Sequence, residues 1–159
     1  MEHHDMKSDH KGHDMYRRLA IMSFLSFIAM YLVMFSMIDT LGSFFNNINM
    51  VYMAGLMVAP MLVLELLLMG AMYPDKRRNA LIIAGTVVIG ILLFVFIRQQ
   101  TLVGDKQFVR SMIPHHSGAI LMCEQADLQD AELQRLCDEI IVAQQQEIDQ
   151  MKVILNRLE

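Results

Sequence analysis

The chain has no tryptophan, only two cysteines and three prolines in 159 residues, and charged side chains make up 19% of it. Two cysteines are too few for a disulfide-built scaffold, and Cys123 and Cys137 lack the paired spacing of a zinc ribbon. Lysine and arginine number 13 against 17 acidic residues, a net charge of -4 with no basic stripe. Nucleic acid is therefore not an expected partner. The chain also has no glycine-rich phosphate loop, no HExxH and no nucleophile beside a base, so nothing points to a hydrolase.

What is abundant is apolar: 55% of the residues are hydrophobic and sixteen are methionine. Leu19 to Ile38 carries no charge and is long enough to cross a hydrocarbon core of about 30 Å as a helix. Met50 to Met72 is a second such stretch, with Pro60 and Glu65 inside it, and Ala80 to Ile97 is a third without charge. The reading is all-α, with a polar tail at 1–18, a three-helix membrane domain at 19–97 and a soluble domain at 98–159. The short polar segments Asp39 to Asn49 and Tyr73 to Asn79 link the spans.

Orientation follows from basic residues near the span ends. Lys7, Lys11, Arg17 and Arg18 precede the first span, and Lys76, Arg77 and Arg78 lie in the second loop; Arg98, Lys106 and Arg110 follow the third. The heavier set belongs in the cytoplasm. The segment after Ile97 is then expected outside, which in a bacterial inner membrane is the periplasmic face.

The polar tail holds His3, His4, Met6, His10, His13 and Met15, with His-Asp-Met occurring twice. Such a tract buries no core and is expected to stay without structure until it binds a metal. In the second span Met57, Met61 and Met69 flank Glu65 at helical spacing. A carboxyl inside a membrane points to function by default, here an interhelical hydrogen bond or a way-station for Cu(I) along a thioether stripe.

The densest chemistry lies in Phe108 to Cys123. Met112 stands three and four residues from His115 and His116, one turn of a helix. Thioether with imidazole is a ligand pair suited to copper. Asp105 is a natural N-cap for one helix and Asp130 for a second, and Pro114 frees the carbonyl of Arg110. If the two helices form an antiparallel hairpin, paired positions sum to roughly 260. His116 then lies level with Gln144, and Glu147 and Met151 reach the cluster. Cys123 comes level with Cys137. A disulfide, two buried free thiols or a Cu(I) thiolate pair are all open there, although packed helix axes often keep Cα atoms beyond disulfide range.

Gly104 to Leu158 resembles the bacterial domain of unknown function 305 family. The resemblance rests on Asp105, Phe108, Met112, Ile113, His115, His116, Ala119, Met122, Gln144, Glu147, Ile148 and Met151. It implies a ferritin-like helical bundle that binds copper outside the cytoplasm, and it adds Asp105 and Met122 to the candidate ligands. One helical pair is half of a four-helix bundle, so a second copy is expected to complete it. The expected function is copper binding for sequestration, handover to other copper-handling proteins or tolerance, without catalysis. Cu(I) is favoured and Cu(II) possible. The competing readings are a cuprous oxidase and a transport subunit using the methionine stripe.

Overall fold

The computed structural model describes the backbone from residue 2 onward and side chains from Asp14 onward. Among the described residues there are five α-helices and no strand: α1 (Glu2–Val33), α2 (Ile48–Leu68), α3 (Lys76–Gln99), α4 (Asp105–Gln125) and α5 (Ala131–Leu158). Short 3-10 turns occupy Met34–Met37, Leu41–Ser43 and Gly70–Met72. Three stretches are long and apolar enough to cross a membrane: Asp14–Met37, Ile48–Leu68 and Lys76–Gln99. Their apolar surfaces remain mostly uncovered by protein, as lipid-facing helices require.

The chain divides into two compact units, 1–31 with 52–99, and 32–51 with 100–159. In the first, Leu19, Leu66 and Tyr73 form a buried cluster against which Met15, Tyr16, Met22, Leu62, Ile82 and Ile83 pack. Polar groups at this cluster are paired. Tyr16 donates to Asn79 Oδ1 at 2.6 Å, and Asn79 donates in turn to the Tyr73 carbonyl at 3.0 Å. The α-helix of the second span stops at Leu68, and Met69 makes its last helical bond, donating its N–H to the Glu65 carbonyl at 2.9 Å. Gly70 and Pro74 follow closely, and neither favours a continued helix.

In the second unit, Val109, Ile113 and Ile120 of α4 and Ile148 and Leu155 of α5 form one buried cluster. Phe45, Ile141, Met151 and Ile154 pack against it. Hydrophobic spacing on each helix accounts for this: 109, 113 and 120 share a face of α4, and 148 and 155 share a face of α5. Asp130 caps α5, accepting from the N–H groups of Glu132 and Leu133 at 2.9 Å each. The expected cap at Asp105 is corrected. Gly104 is the N-cap and gives no side-chain hydrogen bond, while Asp105 is already the first helical residue.

The segment read as a polar link between the first two spans has Ser43 and Asn47 buried. Ser117, 0% exposed on α4, accepts from the Asp39 N–H at 2.8 Å and donates to the Asp39 carboxylate. The Met37 carbonyl lies where a Cβ on Gly118 would meet it at 3.2 Å. A residue without a side chain is what allows backbone to lie this close to the helix.

A candidate metal centre on the fourth and fifth helices

Met112 and His116 are four residues apart on one side of α4, and His116 reaches α5 at Glu147. The His116 ring binds at both nitrogens. Nδ1 lies 3.0 Å from the Met112 carbonyl oxygen, which can only accept, so Nδ1 carries the hydrogen. Nε2 lies 3.0 Å from Glu147 Oε2. This arrangement assigns Nε2 as the nitrogen free to meet either a proton shared with the carboxylate or a metal ion. The His116 side chain is 12% exposed and that of Glu147 55%, so the pair has one covered and one wet member.

Met112 and Met151 are both half-buried, and Met151 packs against the cluster that holds Ile113 and Ile148. Gln144 Oε1 is buried without a hydrogen-bond partner. Gln144 stands one turn before Ile148 and three residues before Glu147, so an unsatisfied oxygen is presented on the same stretch of α5. A buried acceptor of this kind costs stability unless a cation or a donor meets it. The set therefore fits a soft or borderline cation: one imidazole, one carboxylate, two thioethers and a spare amide oxygen. Among the described residues no group of three or more His, Cys, Asp and Glu side chains is arranged to hold a metal.

Other candidates stand apart. His115 is exposed, its ring edge-on to that of His116 with centroids 5.8 Å apart. Met122 is 56% exposed and stands about 9 Å along the helix axis from His116. Asp105 is exposed in the first turn, about 16 Å along the axis. The structure brings neither Met122 nor Asp105 to His116. The side chains of His3, His4, Met6, His10 and His13 lie outside the described residues, and Met15 packs in the first unit's cluster. In the second span Glu65 Oε1 accepts from the Tyr73 hydroxyl at 3.1 Å, while Met57 is 48% exposed and Met61 half-buried. Burial, with Glu65 as the next cause, raises the pKa of that hydroxyl.

Cys123 and Cys137 form a disulfide, with Cα atoms 5.2 Å apart, and no described cysteine is free. A Cu(I) thiolate pair is thereby ruled out for this form, and the helices approach more closely at this point than the general packing distance suggested. At the start of α4, Arg110 meets Glu159 at 2.6 Å and Lys106 meets it at 3.7 Å. The hydrogen bond from Arg110, followed by the charge of Lys106, holds the Glu159 carboxyl below its usual range.

The sequence reading missed Gln144 as a partnerless oxygen, although it placed Gln144 level with His116. It also missed Asp39, Asn47 and Ser117, which lie far apart in the chain and carry no ligand pattern.

An all-α chain with three helices able to span a membrane, followed by a helical pair bearing His and Met side chains, is the class that this architecture defines. Residues 98–155 match the model of a family described as Domain of unknown function (DUF305), and the chain belongs to that family. It is also similar to "Uncharacterized protein L153" of Acanthamoeba polyphaga mimivirus, with 35% identity over 141 residues, covering 87% of this chain and 91% of that protein. No solved structure matches.

Proposed function

We propose that the protein is a membrane-anchored copper-binding protein, with Met112, His116, Met151 and Glu147 as its metal shell, that sequesters copper or hands it on. The observation that carries this reading is His116, its Nδ1 fixed by the Met112 carbonyl and its Nε2 directed at Glu147, with a half-buried methionine one turn before it on α4 and another one turn after Glu147 on α5. Two thioethers are poor zinc ligands, so Cu(I) is favoured over Zn(II). Bound copper would supply a soft cation coordinated by sulfur and imidazole. The chain's own part is to orient Nε2 and to cover one side of the ring.

The antiparallel hairpin is supported by Cys123–Cys137, His116–Glu147 and Arg110–Glu159. Phe108, Met122, Leu133 and Leu136 are exposed on these helices, and a second copy closing a ferritin-like four-helix bundle would cover such apolar surface. The second unit belongs on the extracytoplasmic side, because disulfides persist in oxidising compartments.

The test is competitive titration of the full-length protein in detergent with Cu(I) and Zn(II). Met112→Leu conserves volume, so lost affinity reports ligation. His116→Ala should weaken Cu(I) binding strongly, and the two changes should be non-additive if both residues hold one ion. Full Cu(I) affinity in the double variant would reject the site.

A further inference from the structure

Proline at position 114 cannot donate to the carbonyl four residues earlier, so Arg110 O loses its helical partner. The structure supplies another. Asn47, 4% exposed, directs its Nδ2 at Arg110 O at 3.4 Å and at Phe45 O at 3.1 Å. Its Oδ1 accepts the Met50 N–H at 3.0 Å in the first turn of α2. One amide thus uses donor and acceptor together.

Asn47 belongs to a strap. Residues 37–47 reach α4 at Arg110 through Asn47, at Ser117 through Asp39, and at Gly118 through the Met37 carbonyl. Positions 110, 114, 117 and 118 share one face of α4, and 112 and 116 lie on the opposite face. The strap therefore grips the back of the turn that carries Met112 and His116, on both sides of the proline.

We propose that Asn47 is a positioning residue for the Met112–His116 turn: by taking the carbonyl that Pro114 leaves free, it fixes the backbone of α4 at that turn and so the aim of His116 at Glu147. The metal role of that turn rests on the copper reading; the positioning does not. The alternative role, anchoring the strap alone, makes a different prediction, because it is indifferent to residue 114.

The experiment uses the full-length chain with Asn47→Asp, Pro114→Ala and both. Asn47→Asp keeps an acceptor for the Met50 N–H but removes both Nδ2 donors. Pro114→Ala restores a backbone N–H that can take Arg110 O within the helix. Two quantities are read: the NMR signal of the His116 Nδ1–H in metal-free protein, and Cu(I) affinity by competition. Asn47→Asp alone should shift or broaden the His116 signal and lower Cu(I) affinity roughly tenfold, the scale of one net hydrogen bond. In the Pro114→Ala background the same change should leave the signal in place and cost less than about twofold in affinity. An equal effect in both backgrounds, or an unmoved His116 signal in Asn47→Asp, overturns the proposal. If the unaltered protein binds no copper, the copper reading fails, while the His116 signal still decides the positioning.

Discussion

Gly118 shows how much one missing side chain can determine. A Cβ there would meet the Met37 carbonyl at 3.2 Å, and that oxygen belongs to backbone held in place by the neighbouring Asp39–Ser117 bonds. Gly118→Ala should therefore destabilise the second unit by about 1–3 kcal/mol despite alanine's better helix propensity. Chemical denaturation of the purified protein checks the sign. Glu159 gives the residue-scale pH dependence. Its carboxyl titrates below the unfolded value, so its stabilising effect is present above the ordinary carboxylate range and is lost as pH falls through the lowered folded value. Thermal melts of Glu159→Gln should show a deficit at neutral pH that disappears toward acid, where the native carboxylate is protonated too. A deficit independent of pH would assign Glu159 to packing.

Among the elements, α4 and α5 are joined both by their shared apolar cluster and by Cys123–Cys137, separated by 14 positions in the chain. Closing a loop of this size stabilises by about 3 kcal/mol. The Cys123→Ser, Cys137→Ser double variant should unfold at lower denaturant concentration by a corresponding amount, and reducing agent should have no further effect on it. These helices were legible in the sequence because their apolar residues recur at helical spacing and Asp130 is a strong cap. The three spans were legible from uninterrupted apolar length. The polar attachment of the first interspan loop to α4 was not, since Asp39, Ser43 and Asn47 read as loop residues until Ser117 and Arg110 are beside them. Long-range polar pairing carries no periodicity. The candidate site was partly legible: Met112 and His116 follow from spacing and Glu147 from the assumed pairing, whereas Met122 and Asp105 entered by resemblance and stand along the helix from His116.

For the whole molecule, orientation is the consequential property. Basic residues concentrate before the first span and in the second loop, which favours both in the cytoplasm. The proposed orientation puts the Cys123–Cys137 disulfide on the oxidising side. Reporter fusions after Glu159 should be active only when the reporter is one that works outside the cytoplasm, and a reporter active only in the cytoplasm would overturn the orientation.

The strap also bears on how the protein can be dissected. An excised fragment running from Gly104 to Glu159 would retain Met112, His116, Glu147 and Met151, and most of the stretch that the family model matches. It would nevertheless leave behind the residues that cover Ser117 and meet Arg110 O and Gly118. Water would enter the back of the helix where protein now sits. Such a fragment keeps the proposed ligands while losing part of their foundation, so the second unit is discontinuous in the chain, assembled from the first interspan loop and the last two helices together.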